Sequence, residues 1–256
     1  MDNLHKEFIE IVADLRAHLE LQKALGVKVV ETGASEHVRN ISDSPASSAA
    51  PKREQAARSV ETPALSESSS LDAVRKELGD CTRCSLHASR KNIVFGEGAA
   101  DARLLFIGEG PGVDDDEQGR PLRGEAGGLL TKIIENGMKI KRSEVYICTI
   151  VKCRPPENRH PEPEEIMTCI AYLKKQIAAI KPRVIVTLGN TATHALLNTT
   201  EGVTKLRGGW HVYEGIPVMP TFHPAYLLRV PSAKKQVWED VQKVMAELEK
   251  TGKREA

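Results

Sequence analysis

The sequence predicts an α/β domain in which a parallel sheet is covered on both faces by helices. Four short apolar runs, at residues 103–108 (RLLFIG), 145–151 (VYICTIV), 183–189 (RVIVTLG) and 217–222 (PVMPTF), read as strands. Helical patterns at 125–136, 163–180 and 190–197 lie between them. Strand alternating with helix is the signature of a parallel sheet buried on both sides.

Taken in order, the chain of 256 residues opens on Leu4, Phe8, Ile11, Val12, Leu15 and Leu19 at helical spacing. Residues 1–41 are therefore expected to form an amphipathic segment that packs on its own domain or on another copy. Docking to an unknown partner is the alternative. Residues 42–70 are rich in Ser, Ala, Pro and charge and nearly devoid of large apolar side chains, which predicts a disordered linker. The folded domain then occupies 71–256, and a last helix over 233–248 closes it. The helix at 163–180 carries carboxylates in its first turn, and that at 190–197 is expected to start on Asn190 as its cap.

Composition limits the function. With 40% hydrophobic residues the chain has enough apolar content for a core. Thirty-six Lys and Arg against thirty-five Asp and Glu give a net charge of +1, so no global basic field advertises nucleic acid. Any nucleic-acid binding would have to come from a local patch. The N-terminus has no basic, apolar and small-residue signal pattern, and no apolar run approaches the ~20 residues of a membrane span. A cytoplasmic, reducing location is expected, with no membrane partner. The five cysteines then read as ligands or buried thiols rather than disulfides.

In an open α/β sheet, ligands bind beyond the carboxyl ends of the strands. The unusual residues fall there: Glu109-Gly110-Pro111-Gly112, Lys152-Cys153-Arg154, Gly189-Asn190 and His223-Pro224. Gly110 and its neighbours leave room for a substrate to approach closely. The acidic run Asp114–Glu117 is either a solvated loop or the source of a carboxylate that orients water. Beyond His223, Ala225-Tyr226-Leu227-Leu228-Arg229 mixes apolar bulk with a cation, as suits a wedge inserted into a DNA groove while a base is turned out. Lys205, Arg207, Arg229, Lys234 and Lys235 are candidate phosphate contacts.

Cys81 and Cys84 are spaced so that one turn can bring two thiolates to a single metal centre. Cys153 and Cys169 can supply two more, for structural zinc or for an iron–sulfur cluster, unless they are merely buried thiols. Cys148, within a strand, reads as a core thiol.

Together these pieces resemble the iron–sulfur, family 4 uracil-DNA glycosylases over about 71–248. The resemblance rests on Cys-x2-Cys at 81–84, Val94-Phe95-Gly96-Glu97-Gly98, Gly108–Gly112, Gly119-Arg120-Pro121, Ala126-Gly127, Val151–Pro156, Asn158-Arg159, Cys169 and His223-Pro-x-Tyr-Leu-Leu-Arg229. It implies a three-layer α/β/α sandwich with a four-stranded parallel sheet, a [4Fe–4S] cluster on Cys81, Cys84, Cys153 and Cys169, and a monomer acting on DNA that holds uracil or other deaminated bases. It further implies that Glu109 positions water and favours a cationic sugar, that Asp115 is a second carboxylate, and that His223 donates a hydrogen bond to the departing base. Gly110 and Pro111 would wall the base pocket. Two pocket positions depart from the pattern: Leu122 stands where the family has a stacking Phe, and Thr149 where it has an Asn that reads the uracil edge. A lesion-binding relative with weak turnover is the first rival reading, and an electron-transfer protein the second.

Overall fold

A computed structural model describes residues 70–252, so the expected N-terminal segment (1–41) and nearly all of the linker (42–70) lie outside the described residues. The described elements run α1 (Leu71–Leu78), β1 (Glu97–Gly98), β2 (Leu104–Gly108), α2 (Val113–Gln118), α3 (Gly124–Lys132), β3 (Tyr146–Thr149) and α4 (Pro163–Ile180). They continue with β4 (Val184–Leu188), α5 (Asn190–Leu197), α6 (Val203–Leu206), β5 (His211–Tyr213), β6 (Ile216–Thr221), α7 (Pro224–Arg229) and α8 (Lys234–Gly252).

The strands are apolar throughout because successive side chains point to opposite faces and both faces are covered. From β2, Leu104 and Phe106 enter one core with Val184 and Val186 of β4, which Leu130 of α3 and Val237, Val241 and Val244 of α8 close. Leu105 and Ile107 enter the other core with Ile185, beneath Leu173 and Ile177 of α4 and Ala192 and Leu196 of α5. The result is the α/β/α sandwich. Truncating a fully buried residue such as Phe106 to Ala would cost about 3–5 kcal/mol through lost transfer energy and the cavity left behind.

The sheet has six strands in the order β1-β3-β2-β4-β6-β5, not four. The four predicted strands are its parallel centre, and two short antiparallel strands extend the edges. Neither edge strand has an apolar run to betray it. β1 depends on Gly98, at φ +128°, where a Cβ would stand 1.8 Å from the Val145 carbonyl oxygen. β5 is joined to β6 through Glu214 and Gly215, both at positive φ, the two-residue hairpin turn whose twist matches paired strands. A further correction concerns Asn190: Gly189 is the cap of α5, and Asn190 Oδ1 instead accepts from Val203 N (2.7 Å) at the start of α6. The helix expected over 125–136 keeps α geometry to Lys132 and ends in one π-helical turn, Ile133–Gly137.

Because the four central strands are parallel, their carboxyl ends share one edge. Residues 109–112, 150–160, 189–191 and 222–229 follow those ends.

Candidate active site

Glu109 follows β2 directly, and three other strand ends supply its neighbours. Both of its carboxylate oxygens lie 2.9 Å from Nδ1 of His160, in the loop after β3. Thr191, in the first turn of α5 after β4, donates its hydroxyl to Oε2. Burial alone would raise the Glu109 proton affinity. The His160 bond and charge, the Thr191 hydroxyl and the nearby His223 outweigh it and hold the carboxyl below the usual range. Glu109 is thus an anion at neutral pH.

His223 ends β6 and caps α7. Its Nδ1 accepts from Ala225 N (3.2 Å), so the neutral imidazole carries its proton on Nε2 and presents an N–H donor. Burial pushes its pKa below the ordinary value, against the pull of Glu109 and Asp115, so the ring is neutral at pH 7. Gly189, at φ +87°, makes room for it: a Cβ there would stand 3.3 Å from the His223 Cβ.

Asp115 is not a free second carboxylate. It is buried in α2, with Oδ2 accepting from Gly112 N (3.1 Å) and Oδ1 from Arg123 N (2.5 Å). Both oxygens are taken by backbone amides, so the residue latches the Gly110-Pro111-Gly112 turn to the start of α3. Its neighbour Asp116 does the same for the amides of Lys91 and Asn92.

The two departures meet. A Cβ on Gly108 would find Thr149 Cγ2 at 3.5 Å and Leu122 Cδ1 at 3.7 Å. Thr149 is fully buried and donates its hydroxyl to Val151 O (2.8 Å), which leaves only acceptor capacity on that oxygen. Leu122 is buried at φ +51°, and its carbonyl accepts from Arg142 (3.0 Å). Arg123 turns its guanidinium to Glu97 (2.7 Å), where Arg120 and Arg142 also converge. At the neighbouring turn Pro111 is buried, and a Cβ on Gly110 would press on Val151 Cγ2 at 2.8 Å.

Of the proposed wedge, Leu227 packs into the core and Leu228, 42% exposed, is the side chain the surface offers, beside exposed Arg229. Lys205 is exposed and pairs with Glu201 on its own side of α6. Arg207 is committed to the fold rather than open to phosphate: it pairs with buried Asp240 (2.6 Å) and donates to Gln236 O (2.6 Å).

Cys81, Cys84, Cys153 and Cys169 line one small apolar cavity with Leu78, Ile93, Lys152, Thr168 and Tyr172, whereas Cys148 lies in the core within β3. Among the described residues no three His, Cys, Asp or Glu side chains could hold a single metal ion. Tetrahedral zinc would draw all four sulfurs to within ~2.3 Å of one point. Burial pushes Cys153 up to about 11 despite Arg90, and raises Cys84 and Cys169, so these sulfurs ionise only for a strongly attracting cation. Two guanidiniums already address them, Arg90 on Cys153 Sγ (3.3 Å) and Arg83 on Cys81 Sγ (3.2 Å). Lys152 is 1% exposed and donates to Thr149 O (2.7 Å), with no carboxylate partner among the described residues. A buried cation needs a counter-charge, and a tetrathiolate cluster of net negative charge is one. The residues fit the group.

His160 and Thr191 were not among the expected site residues. The only signal in the sequence was their position, each a polar side chain just beyond a strand end.

A family model described as the uracil DNA glycosylase superfamily matches residues 95–242. The chain belongs to this superfamily. Among its relatives, the type-4 uracil-DNA glycosylase of Thermotoga maritima is 46% identical over 189 residues, covering 71% of this chain and 96% of the relative. That of Saccharolobus solfataricus is 43% identical over 182 residues, covering 68% and 84%. A type-5 uracil-DNA glycosylase of Pyrobaculum aerophilum is more distant, at 29% over 146 residues, 51% of this chain and 64% of the relative.

Proposed function

We propose that the protein is a DNA-repair glycosylase that hydrolyses the N-glycosidic bond of uracil in DNA and leaves an abasic site. One observation carries the reading: an anionic carboxylate, Glu109, and a neutral imidazole that keeps its proton on Nε2, His223, share one strand-end edge and lie close enough to shift each other's proton affinity. As the sugar–base bond breaks, the base departs with the bonding pair and the sugar becomes cationic. Each of the two residues answers one of those charges. His223 Nε2–H donates to the base oxygen where negative charge collects. Glu109 faces the cationic sugar and aligns a water whose oxygen bonds to the anomeric carbon, its proton passing to the carboxylate or to solvent.

Asp115 keeps the turn that lies against the substrate in place, through Gly112 N. Leu228 and Arg229 are the exposed wedge that fills the gap left by the turned-out nucleotide. A [4Fe–4S] cluster would be held by Cys81, Cys84, Cys153 and Cys169, tying distant segments together and supplying negative charge around Lys152 and Arg90. The pocket admits other deaminated bases beside uracil. In support, Leu122 offers no π face, and the Thr149 hydroxyl has spent its proton on Val151 O.

The test is release of free base from single- and double-stranded oligonucleotides carrying uracil, hypoxanthine or xanthine under single-turnover conditions. Release of free uracil by the wild type, slowed in Glu109→Ala, supports the reading. Tight binding without release would replace it with that of a lesion-binding protein.

A further inference from the structure

We infer that His160 and Thr191 are positioning residues for the excision reaction, which hold the Glu109 carboxylate in one orientation and leave its Oε1 to the attacking water. The inference rests on the glycosylase reading and deepens it.

The geometry is asymmetric. Oε2 accepts from both His160 Nδ1 and the Thr191 hydroxyl, whereas Oε1 shares only the imidazole donor. An ionised carboxylate accepts and does not donate, so Nδ1 carries the proton in this pair. Oε1 therefore keeps more free lone-pair capacity, and it is the oxygen able to take a hydrogen bond from water. The two anchors come from different elements, the loop preceding α4 and the first turn of α5. Together they restrict both the rotation and the tilt of the carboxylate. A group held in this way reacts from one orientation instead of many, which is where much of the advantage of a bound catalyst lies.

His160 is 66% exposed and packs in no core, so its contact with Glu109 is not explained by burial of its ring. It is the more exposed member of the pair, with Glu109 at 27%. The charged and titratable groups that face Glu109 are His160 from the loop before α4 and His223 from the end of β6; Asp115 of α2 and Arg229 of α7 act on His223 behind it. Removing His160 takes away a bond and a charge that favour the anion while burial continues to favour the neutral acid. The proton affinity of Glu109 must then rise.

The experiment is a single-turnover pH profile of uracil excision for the full chain with its metal loaded, comparing wild type with His160→Ala, His160→Asn, Thr191→Val and Thr191→Ser. His160→Ala is expected to slow the maximal rate roughly 10- to 100-fold, as for a lost orienting partner of a catalytic acid–base group. It should also move the acid limb of the profile upward by about one pH unit or more, the usual size of such a charge effect. His160→Asn, which can donate a bond without charge, should recover part of the rate but not the limb. Thr191→Ser should match wild type, and Thr191→Val should not. DNA dissociation constants should change little. Excision by wild type together with an unmoved acid limb in His160→Ala, or Thr191→Ser as impaired as Thr191→Val, would overturn the inference while leaving the glycosylase reading intact. Failure of wild type to excise would instead remove the reading itself.

Discussion

Restoring Phe at 122 and Asn at 149 tests how this pocket reads its base. Leu122 and Thr149 converge beside Gly108, and neither offers what a flipped pyrimidine rewards most. A stacked aromatic ring is worth roughly 1–3 kcal/mol per base, which at ~1.4 kcal/mol per decade is a factor of about 5–150 in rate if realised at the transition state. Leu122 already holds a left-handed backbone, φ +51°, pinned by Arg142 on its carbonyl, so Leu122→Phe inherits that conformation without new backbone cost. At 149 the change is chemical. The Thr149 proton is committed to Val151 O, whereas an Asn amide has two N–H groups and a carbonyl, enough to keep that bond and still pair the O4 and N3–H edge of uracil. The amide is close to Thr in volume but longer and planar, and in a fully buried site such a change of shape costs about 1–3 kcal/mol of stability. Thermal melting must therefore accompany the kinetics. Single-turnover rates on uracil and hypoxanthine should rise for uracil in Leu122→Phe, and the uracil preference should grow at least about tenfold in the double variant, because a site built to pair an edge rejects a base lacking it. An unchanged or lower preference in a folded, metal-loaded double variant would refute this account of the pocket.

Four further outcomes follow from the geometry. Glu109→Ala and His223→Ala should each lower single-turnover excision roughly ten- to ten-thousand-fold with little effect on DNA affinity, as checked by rapid quench and fluorescence anisotropy. Asp115→Asn replaces one of two amide-accepting oxygens with a donor facing Gly112 N or Arg123 N; it should cost about 1–3 kcal/mol in denaturant unfolding, the rate should fall through a loosened turn, and the His223 titration should move down because a carboxylate that favours its protonated form is gone. Anaerobically purified protein should be brown with about four irons per chain, lost in Cys153→Ala and retained in Cys148→Ala, as read by iron and sulfide analysis; stoichiometric zinc would contradict the assignment. Lys152→Met should lower the midpoint potential of the cluster in film voltammetry, because a buried cation facing it favours the more negative, reduced form; an unmoved potential would show that Lys152 is not its counter-charge.

How much of this could be read from the chain divides along a physical line. The four central strands, their helices and the edge where the chemistry collects were legible, since burial on both faces writes apolar runs and alternation into the residues themselves. The placement of Glu109 and His223 beyond strand ends was legible too, and the resemblance to a known family was what singled out the four cysteines that line one cavity. Features that depend on pairing across the fold left no such trace. The two edge strands rest on Gly98 and on a turn at Glu214-Gly215, where close approach and positive φ matter more than hydrophobicity. Asp115 looked like a free carboxylate until both oxygens met backbone amides, and Arg207 like a phosphate contact until it met Asp240 across 33 residues. Leu227 and Leu228 are neighbours of the same type, and only the turn of α7 sends one inward and the other to the surface. His160 and Thr191 reach Glu109 across 51 and 82 residues. Local pattern records which side chains must leave water; which polar atoms then satisfy one another is decided only when the chain closes on itself.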